Sequence, residues 1–343
     1  ALPATAAVLP SFAYANRMKS TRPLSFSARH IRIAAERRGW RLTLDDDGFA
    51  GMLELENGEI RCFMRSTFDL NGAAATLVAR DKALTKFFLG NAGLPVIRGR
   101  SFFSPRLATQ LGSTRDGRAA ARYAGQIGYP VMAKANSGAG GDGIERVSSA
   151  DGLQSALDRI FASDDIVLIE SFIEGFRDVR IVVLDGDVLL AYERSAPEVT
   201  GNGTSSLRTL VENAGLAGGG IDRFTRPIAD AGWGWDDVPE AGEVVRLLHV
   251  ANLSQGGLAR EVTTTIDSKF TRLATDAAHA IGLRYCGVDL LTADETDGRA
   301  PCYILEVNGA PTIHHFARLC RLSEERLVIF HERLLDAMSR SIC

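Results

Sequence analysis

Two apolar segments near the C-terminus, GVDLL (residues 287–291) and CYILEVN (residues 302–308), carry polar side chains at alternating positions. Side chains at positions i and i+2 of a strand point to one face of a sheet. The linking segment ADETDGRAP is typical of a turn, and a hairpin symmetric about residues 297 and 298 pairs Asp289 with Glu306. This register predicts a polar face of Asp289, Glu306 and Asn308, opposite an apolar face of Val288, Leu290, Tyr303, Leu305 and Val307.

The polar face of this hairpin offers three side-chain oxygen ligands of the kind that Mg²⁺ prefers. Gly309, Ala310 and Pro311 follow directly and favour a loop that can close over a ligand. Carboxylates on a strand that faces solvent would show the same spacing. The residues alone therefore leave a metal site and a solvated strand face as two open interpretations.

Composition limits the class of protein. A chain of 343 residues with 45% hydrophobic and 24% charged residues is typical of a globular protein of two or three domains. The net charge of −3 favours neither nucleic acid nor an anionic membrane as a partner. Five widely spaced cysteines without a C-x-x-C pair favour a reducing cytoplasm. The N-terminal ALPATAAVLPSFAYANR is interrupted by Pro3 and Pro10, so we expect no export signal.

Helical and strand patterns alternate along the chain. Residues 26–38 and the segment RDKALTKFFLGNAGLP are helical by spacing, the latter through Leu84, Phe87 and Phe88. Asn57-Gly58 and Asp185-Gly186 predict hairpin turns, and PVMAKA and VLIES predict strands. A strand-poor region around residues 218–242 predicts a loop and a helix beside the site. The fold class is therefore α/β, or α+β.

The segment KANSGAGGDGI combines a strand lysine, Lys134, with a glycine-rich turn. Glycines let backbone amides approach phosphate oxygens, and a lysine adds positive charge. The pattern is neither a P-loop nor a Rossmann fingerprint, and a hairpin tip would have the same composition. The cations that could face a phosphate are Lys82, Lys86, Lys134, Arg180, Arg194 and Arg260.

In their order along the chain, these motifs resemble those of the ATP-grasp ligases. RDKALTKFFLGNAGLPV resembles the helix entering the central domain, PVMAKANSGAGGDGI the lysine strand and glycine loop, and VLIESFIEG the adenine hinge. GVDLL and ILEVNGAP resemble the two metal strands. The resemblance implies a nucleotide-binding set of Lys82, Lys134, Gly140, Gly141, Glu170, Phe172, Ile173 and Asp178, and a metal-binding set of Asp289, Glu306 and Asn308.

Within that superfamily, RIVVLDGDVLLAYERSAPEVTGNGTSSLRTLVE and HVANLSQGGLAREVT resemble cyanophycin synthetases and the glutathione-forming part of bifunctional glutathione synthetases. Arg180 and Arg194 match arginines placed near phosphate and substrate. D-alanine–D-alanine ligases carry an arginine two residues before the metal aspartate, where this chain has Gly287. The resemblance then implies that Arg194 or Arg260 stabilises the oxyanion. The predicted catalytic residues are therefore Arg180, Arg194 and Arg260.

The resemblance implies an ATP-grasp fold in which nucleotide lies between a central lobe and a larger C-terminal domain. The expected domains are residues 1–105, residues 106–172 with a glycine lid, and residues 173–343. The small N-terminal domain is expected to be α/β.

The implied reaction joins a carboxylate to an amine through an acyl phosphate, using ATP and one or two Mg²⁺ ions, with Mn²⁺ as a substitute. The expected substrates are amino acids or small peptides, with His314, His315 or Arg260 beside them. A homodimer is left open, and no nucleic acid or membrane partner is expected. A kinase on the same scaffold and a non-catalytic ATP-binding module remain alternatives.

Overall fold

A computed structural model describes residues 24–137, 143–218 and 220–340 of the chain. The N-terminal elements are α1 (Phe26–Arg37), β1 (Arg41–Leu44), β2 (Ala50–Glu54), β3 (Ile60–Met64), β4 (Thr67–Phe68), α2 (Ala73–Arg80) and α3 (Lys82–Asn91). Next come β5 (Gly99–Phe103), α4 (Pro105–Leu111), α5 (Gly117–Ile127), β6 (Val131–Ala135), β7 (Ile144–Val147), α6 (Ala150–Phe161) and β8 (Ile166–Ser171).

The remaining strands are β9 (Arg177–Leu184), β10 (Asp187–Ser195), β11 (Glu198–Thr200), β12 (Val244–Arg246), β13 (Leu258–Glu261), β14 (Tyr285–Thr292) and β15 (Cys302–Asn308). The remaining helices are α7 (Leu207–Asn213), α8 (Asp222–Asp230), a 3₁₀ turn (Leu253–Gln255), α9 (Ser268–Ile281), α10 (His314–Leu319) and α11 (Glu324–Ser339). The interleaved helices and strands confirm the predicted α/β class.

The first sheet has the order β1-β2-β3-β4 and is antiparallel. The hairpin turn predicted at Asn57-Gly58 joins β2 to β3, and Gly58 has the positive φ of 81° that such turns require. Helix α1 is capped by Ser25, whose hydroxyl accepts from the Ala28 amide, and it packs on α11. This contact joins the N-terminal sheet to the C-terminal end of the chain in one apolar core.

The central lobe is an antiparallel sheet of order β5-β8-β6-β7, with α5 and α6 packed on it. Its strands bury apolar residues because both helices present an apolar stripe to the sheet. Strand β5 pairs along its whole length with β8. The first strand of this lobe therefore lies before the predicted boundary between residues 105 and 106. Sequence periodicity does not reveal the long-range pairing of β5 with β8.

The largest sheet has the order β13-β10-β9-β14-β15 and is antiparallel throughout its pairs. The predicted turn between β9 and β10 has positive φ at both Asp185 (50°) and Gly186 (85°), as a two-residue hairpin of this kind requires. Alternate residues of β9 enter two cores: Ile181 packs towards α9, and Val182 packs towards the N-terminal sheet and α11. The polar end of that second face remains open to the cavity described below.

The C-terminal hairpin pairs Asp289 with Glu306, as the sequence predicts. One residue later the register shifts, and Leu290 pairs with Ile304. The prediction that Leu305 and Tyr303 belong to the apolar face was therefore wrong: Ile304 enters the core, and Leu305 lines the cavity. A β-bulge of this kind adds a residue to one strand, and the sequence spacing gives no sign of it.

The strand-poor region around residues 218–242 contains α8 and loop, as predicted, and no strand among its described residues. It packs with α7, β11 and β12 around a core that includes Phe224. One expectation about packing needs correction. In α3, the spacing of Leu84, Phe87 and Phe88 predicts the helix, but these side chains are 45%, 58% and 42% exposed. The buried side of α3 is formed by Thr85 and Leu89, because the lysine side of the helix faces the cavity.

Among the described helices, none is both long and apolar enough to span a bilayer. Cys62, Cys286, Cys302 and Cys320 are free thiols. The expectation about an export signal concerns residues 1–23, which lie outside the described residues, as does Cys343.

Candidate active site

A cavity of about 1300 Å³ opens between the central lobe and the largest sheet. Its walls come from the turn between β3 and β4, from α2 and α3, from the central strands, and from the polar face of the largest sheet. The predicted residues that line it are Lys82, Lys134, Glu170, Phe172, Ile173, Asp178, Arg180, Arg194, Asp289, Glu306, Asn308 and His315. The fold thus gathers most of the predicted site in one place.

Glu170 lies on β8 between two lysines. Its carboxylate oxygens are each 2.5 Å from an ammonium group, one of Lys86 and one of Lys134, and its side chain is only 1% exposed. Burial alone would raise the pKa of Glu170, but the positive charges of Lys134 and Lys86 outweigh it and lower that pKa. Burial lowers the pKa of Lys86 more than Glu170 restores it. The three groups form a buried cluster with one net positive charge, which suits a phosphate.

This cluster changes the interpretation of Glu170. The resemblance assigns Glu170 to the adenine amino group, whereas here both of its oxygens lie against lysines. Phe172 and Ile173 follow it along the cavity wall, and the Arg146 guanidinium lies 5.0 Å from the centre of the Phe172 ring. The hinge position of these two residues stays a prediction.

Lys82 and Lys86 lie one turn apart on α3, so both reach the cavity. The helix begins there because the Asp81 carboxylate accepts from the Leu84 amide. The Lys82 ammonium donates to the Asn136 carbonyl at 3.2 Å. Burial lowers the pKa of Lys82, an effect that Glu306 opposes and Lys134 reinforces. Lys82 and Glu306 therefore influence each other across the cavity.

On the largest sheet, two arginines hold Asp289. Arg180 binds it with two hydrogen bonds of 2.6 Å, and Arg194 adds one of 2.8 Å. Burial would raise the pKa of Asp289, but these guanidinium groups lower it well below its usual range. Arg194 also binds Asp178 at 2.6 Å. Burial raises the pKa of Asp178 to about 6, against the effect of Arg194 and with the help of the Asp289 charge.

Gly287 stands at the position where D-alanine–D-alanine ligases carry an arginine, and the space around it is too small for a larger side chain. A Cβ at Gly287 would lie 2.9 Å from Pro311 Cβ and 3.5 Å from Arg180 Cδ. The space beside Asp289 is therefore filled by Arg180, which enters from the adjacent strand β9. This places an arginine beside Asp289 from a different strand than the comparison with D-alanine–D-alanine ligases suggested.

The proposed metal ligands fit a hard cation in chemistry. Asp289 and Glu306 pair across the strands, and Asn308 follows on the same face, with its Nδ2 donating to Glu306 at 3.0 Å. That bond leaves the Asn308 amide oxygen directed away from Glu306 as a further oxygen donor. In the described ranges, no three His, Cys, Asp or Glu side chains converge as metal ligands would. A metal here would depend on the amide of Asn308 and would share Asp289 with two guanidinium groups.

Arg260 does not line the cavity, so the structure does not bring it together with the other predicted catalytic residues. It lies on β13 opposite Glu193, and it binds Glu193 and Glu295, the latter at 2.6 Å. The side chain is 54% exposed. Side chains alternate along a strand, so Arg260 lies on the opposite face of the sheet from Arg194, while its partner Glu193 also lines the cavity. The order of residues in HVANLSQGGLAREVT gives no information about which face of β13 is used.

Two other predicted features are only partly placed. His315 lines the cavity, and its Nδ1 is buried without a hydrogen-bond partner among the residues that the structure describes. His314 instead packs on Phe26, with 4.9 Å between the ring centres. Burial lowers the pKa of His315. Gly140 and Gly141 fall in residues 138–142, outside the described residues, so the glycine lid stays a prediction.

Sequence reasoning missed or left unassigned several residues of the cavity wall. Lys86 was only one of six candidate cations, although its spacing of four residues from Lys82 is a signal that both share a helix face. Arg65 and Arg80 also line the cavity. They come from the N-terminal part, and nothing in their local sequence indicates that the fold brings them there.

Comparison with known proteins agrees with this geometry. Residues 104–193 match the family model "Carbamoyl-phosphate synthase L chain, ATP binding domain", and residues 248–327 match the "RimK-like ATP-grasp domain". The bifunctional glutathione synthetase from Pasteurella multocida has a similar structure, with a TM-score of 0.57 and 20% identity, covering 92% of this chain and 44% of that one. The chain therefore has the ATP-grasp fold and contains an ATP-binding domain.

Similarity in sequence identifies the ligases to which this chain is related. The glutathione biosynthesis bifunctional protein GshAB of Streptococcus thermophilus is 32% identical over 256 residues, which are 69% of this chain and 33% of the relative. The cyanophycin synthetase of Trichormus variabilis is 31% identical over 281 residues, 76% of this chain and 29% of the relative. The chain thus contains an ATP-grasp domain homologous to these ligases, as predicted, and spans about a third of their length.

Proposed function

We propose that this protein is an ATP-dependent ligase that joins the carboxylate of an amino acid or small peptide to an amine, with an acyl phosphate as intermediate and ADP and phosphate as products. The observation that carries the proposal is the meeting of two charged clusters in one cavity. The Lys86–Glu170–Lys134 cluster lies on one wall, and the Arg180–Asp289–Arg194 cluster lies on the other. Phosphoryl transfer needs little more from a protein than such positioning and charge neutralisation.

The central wall would hold the nucleotide phosphates. Lys134 and Lys82 provide positive charge, and Glu170 holds the Lys134 ammonium in place at 2.5 Å. Since the cluster of Lys86, Glu170 and Lys134 keeps a net positive charge inside the fold, a phosphate oxygen would lower its electrostatic free energy. Phe172 and Ile173 would lie along the nucleobase.

The opposite wall would hold the reacting carboxylate. Arg180 and Arg194 present planar donors suited to an acyl phosphate oxygen. Asp289, Glu306 and Asn308 would hold one or two Mg²⁺ ions, or Mn²⁺, which would neutralise phosphate charge when bound. In the present arrangement both Asp289 oxygens accept from guanidinium groups. Substrate binding would therefore redistribute these donors between Asp289 and the phosphate.

The test is a screen of amino-acid and dipeptide pairs with ATP and Mg²⁺, measuring phosphate release and identifying products by mass. A ligase releases phosphate only when acid and amine are both present, and a product of their summed mass less water appears. A phosphorylated product made without an amine would instead identify a kinase. Nucleotide binding without turnover of any pair would identify a non-catalytic ATP-binding module.

The free thiols of the described part, two of them on adjacent strands β14 and β15, favour the cytoplasm as the location. We also keep a homodimer as a proposal. The uncharged side chains of Leu77, Leu84, Phe87 and Phe88, all exposed on α2 and α3, are the face that such a contact would use.

A further inference from the structure

The cavity continues beyond the end of the metal strand β15, where the loop Gly309–Ala310–Pro311 meets the N-terminal part of the chain. Two contacts fix this junction. The Ser66 hydroxyl, in the turn between β3 and β4, donates to the Ala310 carbonyl at 2.9 Å. A Cβ at Gly309 would lie 3.7 Å from the Cβ of Ala79, near the end of α2. The residues next to Ser66 and Ala79 therefore flank the loop that follows Asn308.

Those two neighbours are arginines, Arg65 and Arg80, and both line the cavity. In the described part of the chain, neither guanidinium has an acidic partner. By contrast, acidic side chains lie against Lys86, Lys134, Arg180, Arg194 and Arg260. An unpaired pair of guanidinium groups in a cavity is a site for an anion, because fixed planar donors bind carboxylates through two hydrogen bonds.

The turn between β3 and β4 fixes the position of Arg65. Arg65 lies in a two-residue turn closed by the Met64–Thr67 pair, and its φ of 54° is the positive value that such hairpin turns require. Its guanidinium lies 5.2 Å from the centre of the Phe49 ring, which orients its planar donors.

We propose that Arg65 and Arg80 bind a substrate carboxylate that is not the one activated by ATP. The inference rests on the proposed function and narrows its substrate class. One of the two joined molecules is an amino acid or peptide that carries a second, free carboxylate beyond the reacting group. This site replaces Arg260, which the fold places outside the cavity.

The experiment uses the substrate pair found in the screen above. Each non-reacting carboxylate is replaced in turn by its amide, and KM is measured with the wild-type protein, Arg65→Gly, Arg80→Ala and Arg118→Ala. Arg118 is the matched control, since it is an exposed arginine of α5 that does not line the cavity. Arg65→Gly relieves the left-handed backbone, so its Tm should equal or exceed that of the wild type.

The expected result is that one amidation raises the wild-type KM at least 10-fold. Arg65→Gly and Arg80→Ala should each raise KM for the free acid by a similar factor and should no longer prefer the acid over the amide. In both variants, KM for ATP should stay within about 2-fold of the wild-type value. Arg118→Ala should match the wild type. Unchanged KM values for both variants, or wild-type turnover that is indifferent to amidation, would overturn the carboxylate site and leave the ligase standing. Failure of every pair would overturn both proposals together.

Discussion

Glu170→Gln is the sharpest test of how the central wall works. The substitution keeps the shape of the side chain but removes the negative charge between Lys86 and Lys134, both 2.5 Å from it. Removing one partner of a buried ion pair leaves an uncompensated charge, at a typical cost of 3–5 kcal/mol. Because Glu170 is only 1% exposed, water cannot restore much of this, and we expect a loss of about 4 kcal/mol in the free energy of unfolding at pH 7.

The pH dependence of that loss has a definite sign. Without Glu170, the pKa of Lys86 in the folded state, which burial already lowers, should fall further below its value in the unfolded chain. The unfolded state then binds more protons, so stability rises with pH between the folded and unfolded pKa values. The deficit of Glu170→Gln should therefore shrink between pH 7 and pH 10.

Urea unfolding followed by far-UV circular dichroism measures both effects. The control is the double variant Glu170→Gln, Lys86→Met, which removes one uncompensated charge and should recover part of the loss, with a coupling of about 1–3 kcal/mol. If Glu170→Gln unfolds within about 1 kcal/mol of the wild type at every pH, the three charges do not act as the buried cluster described here.

The remaining predictions concern the metal face, Arg260 and a buried histidine. Glu306→Ala should lower kcat by at least about 1000-fold, because a bound metal stabilises the phosphate charge by several kcal/mol. Its Tm should stay close to that of the wild type, because this side chain is partly exposed. Near-normal turnover would show that Glu306 is not a metal ligand. Arg260→Ala should leave both KM values within about 2-fold, because Arg260 only pairs with Glu193 and Glu295; a large rise in either KM would return it to the active site. Burial lowers the pKa of His331 from its usual 6.5 to about 4, so the neutral ring stabilises the fold above pH 6.5 and that stability is lost as pH falls towards 4. We expect a loss of about 2 to 3 kcal/mol by pH 4.5 that His331→Phe largely abolishes, and an equally steep acid loss in His331→Phe would assign it to other groups.

The sequence determined the parts of this protein that depend on local rules. Turn residues with positive φ, such as Asp185-Gly186, and N-terminal helix caps such as Asp81 need only a few neighbouring residues. The alternation of polar and apolar residues likewise paired Asp289 with Glu306 and gave them one face. The order of motifs indicated the family, because each motif carries its own local pattern.

Tertiary structure decided which charges meet. The partners of Glu170 come from α3 and β6, and those of Asp289 from β9 and β10, all distant along the chain. The face of β13 that excludes Arg260 from the cavity follows from its pairing with β10, and the bulge that moves Leu305 into the cavity follows from a register shift. Arg65 and Arg80 reach the site only because the N-terminal part packs on the loop after Asn308. Such contacts depend on the packing of whole sheets against each other, which no local pattern records.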